Sequence, residues 1–289
     1  MILNKIVEAK IKRLFEQKKN VPIEELIEKL TKKLKINDDC DDNLKHNVNV
    51  ERPAGVFASA LTSGRLNRDK EGISIIAEVK KASPSKGILA PDFDYLQIAS
   101  MYEQLGAAAI SVLTEQDYFL GSPDYLREIR ESIKIPLLRK DFIIDPYQIY
   151  EAKILGADAI LLIVKILDDQ QLKEYLGIAE QIGLDCLVEV HDEAEAARAM
   201  AAGASIIGIN NRNLETFEVD LDHSRRIGAM IPDHLIKVSE SGIHTGEDIL
   251  TAQAWGFDAV LVGEAFMKAG SLEQKFAEFL RISGHLENV

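Results

Sequence analysis

Six short apolar runs along the chain end on residues that a buried strand has no reason to carry. Glu78 and Lys80 close Ile75-Ile76-Ala77-Glu78-Val79-Lys80, Lys140 closes Pro136-Leu137-Leu138-Arg139-Lys140, and Glu189 closes Leu187-Val188-Glu189. Asn210 closes Ile206-Ile207-Gly208-Ile209-Asn210 with Arg212 just beyond, Glu240 lies in Lys237-Val238-Ser239-Glu240-Ser241, and Glu264 follows Val260-Leu261-Val262-Gly263. An ionised group in a packed layer is costly unless it is paired or faces a wet cleft. Six such ends imply one shared cleft. Lysines and an arginine beside glutamates suit a substrate with several anionic groups and a reaction that needs both acid and base. Opposite charges a few ångströms apart also hold each other ionised. The small residues Ser241, Gly242 and Gly263 after the last two runs suit phosphate held by backbone N–H groups.

Taken singly, these ends have plainer readings. Glu78 with Lys80 fits a solvated surface pair, as do Lys140 beside Asp141 and Glu264 at a loop start. Asn210-Asn211-Arg212-Asn213 fits a turn stabilised by its Asn side chains. Glu189 resists such a reading, because Cys186-Leu187-Val188 and Val190 enclose it. Six separate coincidences at successive ends make a strained account.

The elements that must position these ends form a repeat. Leu105-Gly106-Ala107, Leu155-Gly156-Ala157, Ile182-Gly183-Leu184, Ala202-Gly203-Ala204 and Trp255-Gly256-Phe257 each join a helical pattern to an apolar run. Glycine just past a helix end takes the left-handed cap conformation, and an all-apolar run is what a strand buried on both faces needs. Strands are expected near 74–79, 108–113, 136–140, 159–164, 185–190, 206–210, 235–239 and 259–263, each followed by a helix. This predicts an α/β fold, a (β/α)8 TIM barrel with extra N-terminal helices, in which chemistry gathers at the C-terminal strand ends. A doubly wound open sheet is the alternative, weakened because no GxGxxG follows the first strand.

Residues 1–71 read as a helical extension and loop insertion packing on the barrel, and 72–289 as the single catalytic domain. Ile2, Leu3, Ile6, Val7, Ile11, Leu14 and Phe15, then Ile23, Leu26, Ile27 and Leu30, recur at helical steps and predict two amphipathic helices broken at Pro22. Asn37 to Arg52 is rich in Asp and Asn, and Asp38-Asp39-Cys40-Asp41-Asp42 repels itself, so a loop is expected there.

With 34 Lys and Arg against 47 Asp and Glu, the net charge of −13 argues against a nucleic-acid or anionic-membrane surface and requires any anion site to be locally basic. Cys40 and Cys186 make no disulfide framework or zinc spacing, which fits a reducing cytoplasm. The charged first 20 residues contain no apolar signal core. No later stretch reaches the about 18 to 20 apolar residues of a membrane span.

Ala77-Glu78-Val79-Lys80-Lys81-Ala82-Ser83-Pro84-Ser85-Lys86-Gly87, Leu138-Arg139-Lys140-Asp141-Phe142-Ile143, Leu187-Val188-Glu189-Val190-His191, Gly208-Ile209-Asn210-Asn211-Arg212-Asn213-Leu214 and Ser239-Glu240-Ser241-Gly242-Ile243 together resemble the signature segments of the indole-3-glycerol phosphate synthase family. The likeness runs in order over nearly the whole chain. It implies a lyase of tryptophan biosynthesis that turns 1-(2-carboxyphenylamino)-1-deoxyribulose 5-phosphate into indole-3-glycerol phosphate, releasing CO₂ and water, with no cofactor and no metal.

Carried over residue by residue, the resemblance makes Lys140 the acid of ring closure, with Glu189 holding or exchanging the proton at the same oxygen. It gives Lys80 and Glu78 the dehydration. Asn210 and Glu240 bind ribulose hydroxyls or position neighbours, and Arg212 bears on anion binding. Ser83, Ser241, Gly242, Gly263 and Glu264 match phosphate positions, while Phe119 and Phe142 match apolar walls around the aromatic ring. The partner implied is a small anionic phosphorylated substrate, with no nucleic acid and no membrane, on a monomer or weak homo-oligomer.

The chain departs from the family pattern at the insertion Asp38 to Val50, which lies in the segment that caps the barrel in that family, and at Glu264, where serine is also common. Another phosphate-binding barrel, such as a phosphoribosyl isomerase, shares the phosphate loops but does not call for lysines on strands 1 and 3 with a glutamate on strand 5. A barrel that only binds a metabolite stays open, since fold alone implies no function.

Overall fold

The computed structural model describes residues 2–33, 55–66, 72–213 and 216–282. Eight parallel strands close into a barrel: β1 (Ser74–Val79), β2 (Ala109–Leu113), β3 (Leu137–Lys140), β4 (Ala159–Ile163), β5 (Asp185–Val190), β6 (Ile206–Asn210), β7 (Ile236–Glu240) and β8 (Ala259–Val262). β8 pairs back onto β1, with Ser74 opposite Ala259 and Ala77 opposite Val262, so no strand edge is left open. This is the (β/α)8 barrel that the repeat predicts, and closure excludes the open sheet. Every strand boundary falls within one residue of its expected place.

Side-chain alternation sorts the strands into two shells. Ile75, Ala77 and Val79 of β1 join a core shared with the surrounding helices, while Ile76 joins Leu138, Leu161, Leu187, Val238 and Leu261 inside the barrel. The extension supplies α1 (Ile2–Asn20), α2 (Ile23–Lys33) and α3 (Val56–Leu66). The acidic insertion, Asp38 to Val50, lies outside the described residues. After β1 a short hairpin pairs Ala82–Ser83 with Gly87–Ile88. Helices α4 (Tyr95–Gln104), α5 (Pro123–Ser132), α6 (Pro146–Leu155), α7 (Asp169–Gln181), α8 (Glu193–Ala202), α9 (Asp222–Gly228) and α10 (Gly246–Ala254) then alternate with the strands. Short α11 (Glu264–Met267) and α12 (Leu272–Ile282) follow β8.

Local sequence dictates these boundaries. Ser122, Asp145, Asp168, Asp192 and Thr245 each cap a helix by accepting a hydrogen bond from an N–H of its first turn. At the other end Gly106, Gly156, Gly183, Gly203 and Gly256 all adopt positive φ, between 70° and 94°. Among the described residues no helix is long and apolar enough to cross a membrane.

The extension covers both ends of the barrel. Phe57 and Leu61 of α3 are buried with the interior residues at the N-terminal end. There Asp185 accepts hydrogen bonds from the N–H groups of Phe57 and Ala58, at 3.0 and 3.1 Å, and Ser74 donates to the Leu61 carbonyl at 2.9 Å. At the C-terminal end α1 turns Ile2, Leu3 and Ile6 toward the cleft. Ion pairs Lys10–Asp141 at 2.7 Å, Arg13–Asp117 at 2.6 Å and Lys18–Asp145 at 2.5 Å tie α1 down.

Candidate active site

Strand register brings the charged ends to one level. Leu113 lies beside Lys140, Glu189 beside Gly208, and Asn210 beside Glu240. The cleft above them is lined by Glu78, Lys80, Ser83, Phe119, Lys140, Phe142, Glu189, Asn210, Arg212, Glu240, Ser241, Gly242, Gly263 and Glu264, so every site residue expected from sequence reaches it.

Lys140 is the hub. Its ammonium lies 2.9 Å from Glu240 Oε2 and 3.5 Å from Glu189 Oε2. Burial opposes the charge, but Glu240, Glu189 and Glu78 outweigh it and hold Lys140 protonated well above the ordinary lysine range. The shorter approach is to Glu240, a carboxylate expected only to bind or to position neighbours. Glu78 and Lys80 form a second ion pair at the end of β1. Burial pushes the Glu78 carboxyl up, yet Lys80 and Lys140 bring it below the usual range.

The remaining two carboxylates separate in character. Glu189 is desolvated, but Lys140, His191 and Asn210 draw its pKa down to about 2. Asn210 serves twice, donating to Glu189 Oε1 at 3.1 Å and accepting from the Arg212 N–H at 3.0 Å. Glu240 is pushed up to about 7, because burial and the neighbouring Glu189 and Glu78 outweigh Lys140. Its Oε1 has no hydrogen-bond partner among the described residues.

Two glycines make room for this charge. A Cβ on Gly208 would run into Glu240 Oε1, and a Cβ on Gly263 would run into Glu78 Oε2, with Lys80 Nζ at 3.0 Å. Neither glycine has positive φ, so the requirement at both is space.

The rim divides into an apolar and a basic side. Phe119 and Phe142 stand 6.1 Å apart between ring centroids, tilted by 40°. Buried Glu115 holds the Phe119 loop by accepting from the N–H groups of Asp117, Tyr118 and Phe119. Opposite, Arg212 reaches Glu264 at 3.4 Å and donates to the Phe217 carbonyl at 3.2 Å. Ser241 and Gly242 follow β7 with φ of 66° and 87°. Among the described residues no cluster of three or more His, Cys, Asp or Glu is placed to hold a metal ion.

Sequence reasoning missed several members. Lys10 is a buried helix lysine whose partner, Asp141, is 131 positions away, and no local pattern announces such a pair. Asp141 also meets Arg139 at 3.3 Å and accepts from Thr114 at 2.6 Å, so it serves the scaffold and not Lys140. His191 did carry a signal. Two residues beyond Glu189 on an extended segment, it falls on the same face.

The indole-3-glycerol phosphate synthase family model matches residues 3–279. A curated indole-3-glycerol phosphate synthase of Acetivibrio thermocellus is 53% identical over 230 residues, covering 80% of this chain and 88% of the relative. One of Thermoanaerobacter pseudethanolicus is 45% identical over 281 residues, covering 97% and 98%. Among solved structures, a thiamine phosphate pyrophosphorylase from Pyrococcus furiosus superposes with a TM-score of 0.53 at 19% identity, covering 75% of this chain and 98% of that one, a likeness of fold alone. On the extent and identity of these matches, the chain belongs to the indole-3-glycerol phosphate synthase family.

Proposed function

We propose that the protein acts as an indole-3-glycerol phosphate synthase and, by reaction class, as a carbon–carbon carboxy-lyase. The observation that carries this reading is the partly buried Lys140 ammonium aimed into a cleft with an aromatic wall on one side and Arg212 on the other. The substrate, 1-(2-carboxyphenylamino)-1-deoxyribulose 5-phosphate, has matching parts: an aromatic ring with a carboxylate, a ketone and a phosphate.

In ring closure the aromatic carbon bearing the carboxylate attacks the ketone carbon, and Lys140 donates a proton to the ketone oxygen as charge develops there. The C–CO₂ bond then breaks, its electron pair restores the ring, and CO₂ leaves. Glu189 faces the same oxygen and holds or exchanges its proton. In dehydration Lys80 protonates the departing hydroxyl, which leaves as water, while Glu78 takes the ring-side proton. Phe119 and Phe142 enclose the ring, and Asn210 and Glu240 bear on the ribulose hydroxyls. Phosphate is read by backbone N–H groups at Ser241, Gly242, Gly263 and Glu264, with Ser83 and Arg212.

The scheme needs only acid and base groups that this chain supplies. We further propose that the protein works as a monomer or weak homo-oligomer in the cytoplasm. Supplying the carboxyphenylamino substrate and following indoleglycerol fluorescence tests the reading. Product is expected, and folded protein that forms none overturns it.

A further inference from the structure

Behind Glu189 lies a second set of charges that the proposed chemistry does not use. His191 Nδ1 is 3.0 Å from Glu195 Oε2, the same oxygen that accepts the His191 backbone N–H at 2.8 Å. Its Nε2 is 3.3 Å from Glu189 Oε1, an ion-pair approach outside hydrogen-bond geometry, and makes no hydrogen bond among the described residues. The cap of α8 builds this arrangement. Asp192 accepts from the Glu195 N–H at 2.8 Å, and the Glu195 side chain reaches back over the first turn to His191.

The two oxygens of Glu189 therefore have separate duties. Oε1 is held by Asn210 Nδ2 at 3.1 Å and by the His191 ring, while Oε2 faces Lys140 at 3.5 Å and the cleft. Rotation of the carboxylate would break both interactions of Oε1. We propose that His191 is a positioning residue for the reaction, a largely enclosed Glu195–His191–Glu189 relay fixing the carboxylate that works with Lys140.

Proton placement supports the geometry. Glu195 accepts at Nδ1, so that nitrogen carries a hydrogen. A bare Nε2 lone pair 3.3 Å from an ionised carboxylate oxygen would repel it, so Nε2 carries one too. Burial opposes the resulting imidazolium, but Glu189 and Glu195 prevail and raise its pKa to about 9. The groups facing Glu189 are Lys140 on β3, Asn210 on β6 and His191 itself, with Glu78 on β1 and Glu240 on β7 as like charges. Those facing His191 are Glu189 and Glu195.

This inference rests on the synthase reading, and its test separates the two. In His191→Asn the amide can still reach Glu195 but not Glu189. Without the cation beside Glu189 Oε1, kcat should fall about tenfold or more while KM stays within about twofold. The acid limb of kcat should move to higher pH, because Glu189 loses a cation that depresses its pKa. His191→Gln, whose amide nitrogen can occupy the Nε2 position, should recover part of kcat. Unchanged kcat and acid limb in His191→Asn overturn the inference, as does a loss that His191→Gln does not relieve and that leaves the acid limb in place. A readout independent of turnover is the ¹⁵N spectrum of the parent imidazole at pH 8. Two protonated nitrogens are expected, and a neutral ring overturns the relay whether or not product forms.

Discussion

At the N-terminal end of the barrel, the Asp185 carboxylate meets the first N–H groups of α3, and Phe57 and Leu61 fill the space around it. At the C-terminal end, Glu240 is also buried, yet one of its oxygens lacks a hydrogen-bond partner among the described residues and lies over a glycine that leaves it room. A carboxylate at a helix N-terminus is stabilised by oriented donors and the helix dipole. A carboxylate packed with Glu189 and Glu78 around one lysine is held in a state that substrate can change. The first end is built to stay as it is and the second to exchange protons. One closed sheet supports both because its interior layers between them are apolar.

Substitutions at each end should therefore separate activity from stability. Lys140→Ala should lower kcat by a factor on the order of 10² to 10⁴, the usual worth of general acid catalysis, with KM less affected. Near-normal kcat would remove Lys140 as the acid. Phe57→Ala should do the reverse, costing about 3 to 5 kcal/mol of unfolding free energy by emptying a fully buried ring site, while kcat of the folded enzyme holds. Denaturant titration alongside steady-state kinetics measures both, and a loss of kcat larger than the loss of folded fraction would show that the two ends are coupled. Gly208→Ala adds one carbon against Glu240 Oε1, and the displaced carboxylate should lower kcat by about tenfold to 10²-fold, since small misplacements near reacting groups are costly. Parent kinetics in that variant would mean that Glu240 can move without consequence.

The apolar frame was the most legible part of the chain. Glycines 106, 156, 183, 203 and 256 mark helix ends because positive φ is a local demand, and the apolar runs after them mark strands because burial on both faces is also local. The strand-end charges were legible as members of one cleft, since a charge that ends an apolar run violates a local rule. Their mutual geometry was not. That Lys140 lies closer to Glu240 than to Glu189 depends on β3, β5 and β7 meeting across a closed barrel. The tie between Lys10 and Asp141 depends on where α1 lands, which periodicity within α1 does not encode. The part played by Gly208 was not legible, because it comes from the Glu240 carboxylate that the neighbouring strand lays over it.

The weakest expected effect distinguishes the two ends through pH alone. Four carboxylates, Glu78, Glu189, Glu195 and Glu240, share three cations, Lys80, Lys140 and the His191 imidazolium, so one negative charge is in excess. Although Glu240 makes the shorter contact to Lys140, it is the carboxylate whose proton affinity rises. Its pKa of about 7 in the folded protein lies above the ordinary 4.5, so between these values the native state binds the extra proton. Stability then falls as pH rises through that window. Glu189, drawn down to about 2, contributes its change below the window. His191, raised from 6.5 to about 9, contributes stability that is lost as pH rises through its own higher range. From about pH 5 to 6.5 the fall therefore belongs to Glu240. Glu240→Gln keeps the size and removes the titration, so its unfolding free energy should stay flat where the parent loses on the order of 1 kcal/mol. Parallel curves for parent and variant over this range would show that the unmatched charge is neutralised by the scaffold, and that the catalytic end is as settled as the end closed by α3.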